Sequence, residues 1–220
     1  YIRPWHKDAP WSPEEYPLED GVRSALYVNL LTEDNLPYYS ATILNMADPD
    51  HPFAEWGRRW TAEESRHSEV IRDWIHASRA LDPKLLDGGR MMQMTKAEVP
   101  VPGSLAELLA YTSFQELATY VSHNRVSQMA KQYGEKRLAK MCKMIAGDEM
   151  RHHNAYSDFV AEIFKVDPSE MMLAFLHMMK LKIVMPAHFL RESGEKIGLA
   201  FEHFSDCAQR IGVYTAQDYV

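Results

Sequence analysis

Two five-residue segments, EESRH at 63–67 and DEMRH at 148–152, carry the pattern that decides the fold of this chain. Each contains a glutamate followed three residues later by a histidine, Glu64 with His67 and Glu149 with His152. Residues three apart are neighbours on one face of a helix, so each pair can hold a metal ion from one side. The sequence therefore predicts two helices that each present a Glu-x-x-His pair.

A lone glutamate precedes each segment at a similar distance. Glu33 lies 31 residues before Glu64, and Glu116 lies 33 residues before Glu149. Two lone glutamates with two Glu-x-x-His pairs are the ligand set of ferritin-like di-iron and di-manganese carboxylate bundles. The spacing therefore predicts an all-α fold, a ferritin-like four-helix bundle with additional flanking helices.

All six residues fall on the apolar faces of their helices, which predicts that they are buried. Four uncompensated buried carboxylates would be very costly, so cations are expected among them. Two divalent ions balance four carboxylates and two neutral imidazoles. Carboxylates and imidazoles without thiolates favour iron or manganese over zinc or Cu(I). Glu63 could replace Glu64, because residues four apart also share a helix face.

Hydrophobic periodicity predicts the elements along the chain. They are an extended arm over 1–20, helices over 22–46, 53–80, 105–132 and 135–165, a further helix from 168 to about 182, and an amphipathic stretch near 195–211. Pro37 should kink or break the first helix. The stretch 82–103 contains Gly and Pro and is interpreted as a connection. We expect residues 1–220 to form a single domain that is incomplete at both ends.

Composition argues against several classes of protein. The chain has 220 residues, 46% of them hydrophobic, which is enough for one domain with a substantial core. Its net charge of −7 argues against a nucleic-acid-binding protein. Its two cysteines form no Cys-x-x-Cys pair, which argues against a zinc–thiolate or iron–sulfur site. No apolar run is long enough for a transmembrane helix, and we expect none.

Beyond the metal-binding pattern, the sequence resembles the soluble acyl-carrier-protein desaturases. The matching segments are LTEDNLPYY (31–39), RWTAEESRHS (59–68), YTSFQELATYVSH (111–123), AGDEMRHHNAY (146–156), MPAHF (185–189) and FSDCAQRIGVYTAQDY (204–219). The resemblance implies a centre of two Fe ions held by Glu33, Glu64, His67, Glu116, Glu149 and His152. It also implies a catalytic role for Thr119 near the bound O2 and for Asp148 in the electron route to His67.

Two features depart from the family. Neither Trp5 nor Trp11 aligns with the tryptophan that belongs to the family's electron route. Ser65 and Ser68 stand where relatives often have Asn and Gly. Both serines lie off the ligand positions, so we interpret them as tolerated.

The resemblance implies an O2-dependent enzyme that introduces a cis double bond into a saturated fatty acyl chain on acyl carrier protein. Electrons would come from a ferredoxin-like donor. The resemblance also implies a homodimer, in the bacterial cytoplasm or, in a plant or alga, in the plastid stroma. The alternatives are a related ferritin-like hydroxylase or oxidase and, less favoured, a ferroxidase or iron-storage bundle.

The acyl chain must pass beside the metals, so its channel should be lined by residues one or two turns from the ligands. The predicted lining is Thr42, Asn45 and Met46 together with Leu108 and Thr112. Relatives often have a smaller residue at the position of Leu108. We therefore expect this leucine to shorten the deep end of the channel.

An acidic carrier protein needs a basic docking surface on an enzyme that is itself acidic. The densest basic segment, here called the basic patch, comprises Lys131, Lys136, Arg137, Lys140 and Lys143. The alternatives are Arg58 with Arg59, or Lys180 with Lys182.

Overall fold

The computed structural model describes residues 10–96 and 102–181, and it confirms the predicted all-α fold. Within these ranges there is no β-strand. The helices are α1 (Asp20–Glu33), α2 (Leu36–Asn45), α3 (Pro52–Ser78), α4 (Pro83–Lys96), α5 (Leu105–Gln132), α6 (Lys136–Val166) and α7 (Pro168–Leu181), preceded by a 3-10 turn at Pro13–Glu15. No helix in the described part of the chain is long and apolar enough to cross a membrane.

Helices α1, α3, α5 and α6 carry the six predicted ligands. α5 and α6 are joined by a tight turn in which Gly134 has a φ of +85°, a conformation that glycine adopts without strain. The described core has two apolar clusters. One is formed near Leu26, Ile71 and Leu138, and the other near Trp60 and Tyr156.

The predicted ligands lie between these two clusters along three helices. On α3 the order is Trp60, then the pair Glu64 and His67, then Ile71, so that a polar stretch separates apolar ones. On α5 and α6 the ligand positions likewise fall between residues of the two clusters. The fold therefore holds a polar layer between two apolar layers.

The prediction that Pro37 kinks or breaks the helix over 22–46 is confirmed as a break and is wrong only in the position of the break. α1 ends at Glu33, Asp34 and Asn35 lie in the break, and α2 begins at Leu36. Pro37 lies in the first turn of α2, where its missing N–H leaves no hydrogen bond unmade. The break therefore precedes the proline by a few residues.

The interpretation of 82–103 as a connection is also wrong in part, because α4 occupies Pro83–Lys96. Two adjacent glycines, Gly88 and Gly89, weaken the helical signal there. Gly89 packs directly against the hydroxyl of Tyr27, where a side chain would collide. Gly89, which in the sequence resembled a turn signal, is therefore explained by close packing inside a helix.

The described end of the predicted arm packs on the ends of α3 and α6. Leu18 is buried in the core, and the indole of Trp11 donates a hydrogen bond to the carbonyl of Arg79 at 2.7 Å. The Tyr16 hydroxyl donates to Glu135 at 2.6 Å. The predicted stretch 195–211 and the first nine residues lie outside the described ranges.

Candidate metal centre

The structure brings the six predicted ligands together in the polar layer. α1 contributes its last residue, α3 and α6 contribute a Glu-x-x-His pair each from their middle turns, and α5 contributes one glutamate. All six are buried, with at most 7% of each residue exposed: Glu33, Glu64, His67, Glu116, Glu149 and His152. Because helix spacing sets which face each pair occupies, the duplicated sequence pattern explains the convergence.

The side-chain atoms form two overlapping groups, each able to hold one cation. The first group is Glu33, Glu64, His67 and Glu149, and the second is Glu64, Glu116, Glu149 and His152. Within each group the candidate ligand atoms lie within 4.8 Å of one another. Glu64 and Glu149 belong to both groups. The arrangement therefore suits two ions bridged by two carboxylates.

Both histidines direct Nδ1 into the cluster. Nδ1 of His67 lies 3.3 Å from Glu149 and 3.6 Å from Glu64. Nδ1 of His152 lies 2.7 Å from Glu64 and 3.5 Å from Glu116. His67 therefore faces carboxylates of the first group, and His152 faces carboxylates of the second.

The donor atoms fit divalent cations because several have no other partner. Nδ1 of both histidines and one oxygen each of Glu64 and Glu149 are buried and make no hydrogen bond in the described part of the chain. Buried polar atoms are normally paired, and an unpaired carboxylate oxygen is costly. Two divalent ions would satisfy these atoms and neutralise the four carboxylates.

Electrostatics within the polar layer are strongly perturbed. Burial raises the pKa of Glu64 and Glu116. Burial opposes ionisation of Glu149 as well, but the close approach and charge of His67 outweigh it and lower the pKa of Glu149. Burial disfavours the His152 imidazolium, yet the nearby carboxylates of Glu116 and Glu64 raise its pKa to about 11. Without metal the layer therefore retains protons that a cation must displace.

The acidic residues that precede the ligand glutamates hold the outer nitrogens of the histidines, in a crossed arrangement. Nε2 of His67 lies 3.2 Å from Asp148, and Nε2 of His152 lies 3.0 Å from Glu63. Such outer carboxylates orient a metal-binding imidazole. Glu63, the open alternative to Glu64, belongs to neither four-residue group and lies on the outer side of His152.

Three buried residues near the centre were not assigned a role from the sequence. His123 Nε2 lies 2.7 Å from Glu33, and Asn29 contacts the other ring nitrogen of His123 at 3.2 Å. The Trp60 indole donates to Glu116 at 3.0 Å. His123 follows Glu116 by seven residues, two helical turns on the same face, so its spacing was a usable signal.

A narrow cavity runs from the α2–α5 side to the polar layer. The centre of a water-sized sphere can move within about 60 Å³ of this cavity. Aromatic, aliphatic and threonine side chains form most of the wall, and four of the cluster glutamates close its inner end. The lining comprises Thr32, Glu33, Tyr39, Thr42, Ile43, Trp60, Glu64, Pro102, Leu108, Tyr111, Thr112, Gln115, Glu116, Thr119 and Glu149. Within this wall, the Thr119 hydroxyl donates to Glu149 at 3.0 Å.

Of the predicted channel residues, the structure places Thr42, Leu108 and Thr112 in the wall of this cavity. The expectation for Asn45 and Met46 is wrong for this cavity. Asn45 is exposed at the end of α2, and Met46 is its C-cap. The break after Glu33 changes the helical register, so Tyr39 and Ile43 face inward instead.

A surface groove approaches the centre from another side, between α3 and α6. His67 and Asp148 lie in its wall, with Arg66, Arg137 and Lys140 as its cations. Exposed apolar side chains, Val70 at 41% and Met144 at 63%, accompany them. The groove and the cavity share no lining residue. Two residues of the basic patch, Arg137 and Lys140, therefore line the groove and not the cavity.

The other three residues of the basic patch are exposed at the same end of the bundle, Lys131 at the end of α5 and Lys136 and Lys143 on α6. Of the alternative cations, Arg58 and Arg59 are exposed on α3 and directly precede Trp60, which lines the cavity. Lys180 is exposed on α7, and Lys182 lies outside the described residues.

Comparison with known proteins agrees with this arrangement. The family model described as fatty acid desaturase matches residues 6–220. The chain is 41% identical to the chloroplastic stearoyl-[acyl-carrier-protein] 9-desaturase of Gossypium hirsutum over 92% of its length and 53% of that protein. It is 39% identical to an acyl-[acyl-carrier-protein] 6-desaturase of Thunbergia alata, covering 92% of this chain and 54% of the relative. It thus spans about half the length of the curated relatives that it matches.

A solved structure shows the same fold. The X-ray structure of DesA2 from Mycobacterium tuberculosis H37Rv, described as an acyl-ACP desaturase, matches with a TM-score of 0.59 at 20% sequence identity. The match covers 94% of this chain and 78% of that chain. The resemblance seen in the sequence segments is therefore confirmed.

Proposed function

This chain belongs to the fatty acid desaturase family, and on that premise we propose that it is an O2-dependent acyl-[acyl-carrier-protein] desaturase with a di-iron centre. The observation that carries the proposal is a narrow cavity that ends on a cluster able to hold two cations. A saturated acyl chain, O2, two electrons and two protons would give a cis alkene and two waters. Iron bound at the centre would supply the redox chemistry of that reaction.

The proposed metal ligands are the four glutamates and two histidines of the two groups. Glu33 and His67 would serve one ion, Glu116 and His152 the other, and Glu64 and Glu149 both. The absence of thiolates supports iron or manganese. The family supports iron. Asp148 and Glu63 would keep Nδ1 of each histidine directed inward.

The cavity supports a hydrocarbon substrate. Ile43, Leu108 and Tyr111 give it apolar walls, which suit a hydrocarbon chain. Excluding water from such a site prevents side reactions of the oxidant. We propose that Thr119, which already donates to Glu149, faces the side of the centre where O2 would bind. An iron-storage bundle needs no acyl-sized cavity, which supports the desaturase over that alternative.

We propose that electrons enter through the groove between α3 and α6. Asp148 has 23% of its side chain exposed and contacts the buried His67, so this pair leads from the surface to the cluster. The cations around it suit an acidic ferredoxin-like donor. The acyl carrier would then dock at the cavity side, for which Arg58 and Arg59 are the better candidates.

The family resemblance further supports a homodimer, in the bacterial cytoplasm or in the plastid stroma. The relatives cited above include a chloroplastic protein. Sedimentation of the purified protein tests this proposal. A homodimer should sediment as a particle of twice the chain mass at micromolar concentration.

The proposed activity is tested by its product. Iron-loaded, reduced protein is incubated with O2, a ferredoxin donor and a panel of saturated acyl carriers, and the acyl groups are analysed by mass spectrometry. A desaturase gives an acyl group lighter by two hydrogen atoms. A product heavier by one oxygen atom would indicate a hydroxylase, and iron oxidation without any acyl product would indicate a ferroxidase.

A further inference from the structure

The break between α1 and α2 contains a carboxylate held by two other helices. The Asp34 side chain is only 7% exposed. It accepts a hydrogen bond from the Ser68 hydroxyl of α3 at 2.6 Å. It also accepts two from the guanidinium of Arg90 on α4, through Nε and through Nη2, the latter at 3.3 Å. One buried carboxylate therefore ties α1, α3 and α4 together.

Both residues of the Asp34–Ser68 hydrogen bond are sequence neighbours of predicted metal ligands. Asp34 directly follows Glu33, and Ser68 directly follows His67. Glu33 and His67 belong to the same candidate cation group, with 3.8 Å between Oε2 of Glu33 and Nδ1 of His67. The Asp34–Ser68 hydrogen bond therefore runs next to the Glu33–His67 pair.

Glu33 needs such support because it is the last residue of its helix. The other predicted ligands lie in the middle of α3, α5 and α6, where helical hydrogen bonds continue on both sides. Helix ends fray, and their last carbonyls have no partner within the helix. The position of the Glu33 carboxylate therefore depends on whatever fixes the break.

We propose that Asp34, Ser68 and Arg90 form a brace that positions Glu33 and His67 for one of the two ions. All three are positioning residues and touch no ion themselves. Arg90 holds the carboxylate with a planar fork, which fixes its orientation. Ser68 then sets the distance from α1 to α3.

The brace predicts an effect on one ion site and not on the other. Glu64 and Glu149 belong to both groups, so the groups differ only in two members each. Glu33 and His67 belong to the first group alone and adjoin the brace, whereas Glu116 and His152 belong to the second alone and come from helices that the brace does not touch. Loss of a group that orients a metal ligand lowers metal affinity by roughly 10- to 100-fold. Ser68→Ala should therefore weaken the first site by about tenfold and leave the second within about twofold of the wild type.

The test is a titration of the metal-free, full-length protein with Co(II) under anaerobic conditions, followed by the Co(II) absorption bands. Glu33→Gln and Glu116→Gln identify which bands belong to which site. Ser65→Ala is the matched control, because Ser65 is half-buried on the same helix and its hydroxyl donates to Glu69, away from the brace. Ser68→Thr keeps a hydroxyl and should restore the affinity of the first site.

Asp34→Asn should have a larger effect than Ser68→Ala, because it also removes the charge that pairs with Arg90. If that variant does not fold, Ser68→Ala still decides the question, since it leaves the Asp34–Arg90 pair intact. Unchanged affinity at both sites in Ser68→Ala, or equal loss at both, overturns the brace.

The brace rests on the proposed metal centre, but the two fail differently. A wild-type protein that binds fewer than two Co(II) ions overturns both. A wild type that binds two, with a Ser68→Ala variant that behaves identically, overturns the brace alone. Desaturase activity enters neither measurement.

Discussion

Replacing Glu116 by glutamine should remove one of two metal sites and leave the other. Glu116 belongs only to the group that contains His152, and glutamine has almost the same volume. The Trp60 indole can still donate to the amide oxygen of the new side chain, so the local packing should persist. Anaerobic loading with ferrous iron should give about two ions per wild-type chain and about one per variant chain.

The size of the effect on stability follows from mass action. One site at a metal concentration 100-fold above its Kd contributes about 2.7 kcal/mol to the free energy of unfolding. A variant with 100-fold weaker affinity keeps about 0.4 kcal/mol at the same concentration. For a protein of this size, 1 kcal/mol shifts Tm by roughly 2–4 °C. The metal-induced rise in Tm should therefore be roughly 5–9 °C smaller in Glu116→Gln.

Differential scanning fluorimetry with and without metal measures this difference. Glu33→Gln is the matched variant. It should weaken metal binding at the other site and reduce the metal-induced rise in Tm by a similar amount. Glu162→Gln is the control, since Glu162 is exposed on α6, belongs to neither four-residue group and pairs with Lys165. Glu116→Gln protein that retained two irons per chain and the full rise in Tm would refute the ligand assignment.

Three further predictions concern pH, substrate and partner. Burial raises the pKa of Glu64, and the nearby carboxylates of Glu116 and Glu64 raise that of His152 to about 11, so both groups stabilise the metal-free fold at low pH. For His152 that stability is lost as pH rises from about 6.5 to about 11. The Tm of the metal-free protein, measured in the presence of a chelator, should therefore fall across this range, and a constant Tm would contradict the prediction. Leu108→Gly should extend the longest acyl chain accepted without changing the iron content, and an unchanged chain-length profile in active enzyme would remove Leu108 from the channel. Charge reversal at Lys136 and Lys140 should raise the KM for the reduced donor at low ionic strength. If it raised the KM for the acyl carrier instead, the basic patch would be the docking site of the carrier.

The sequence was sufficient to predict that the six side chains meet, because helical geometry converts spacing directly into proximity. Two Glu-x-x-His pairs need only helical periodicity to place both members on one face. Their position between apolar residues predicts burial, as observed for Glu149 at 1% exposure. A lone residue such as His123 gave a weaker signal, because a single histidine on an apolar face is compatible with many roles.

The exact position of the break and the presence of α4 could not be predicted in the same way. Pro37 is a local signal, but the end of α1 depends on Asp34, whose partners Ser68 and Arg90 are 34 and 56 residues away. Gly89 lowers helix propensity locally and is explained only by Tyr27, far away in sequence. The errors at Asn45 and Met46 follow from the first of these, because an unbroken helix would have continued the register of Glu33.

The duplication in the sequence does not lead to two equivalent halves in the structure. Both segments place an acidic residue on the outer nitrogen of the opposite histidine, and Arg151 lies within 3.6 Å of both acidic residues. Yet only the His67–Asp148 side opens to the groove with Arg137 and Lys140. The carboxylates of the cluster instead face the narrow cavity. If electrons enter on one side and the acyl chain on the other, each partner can dock without blocking the other, and the hydrocarbon need never cross the polar path through Asp148.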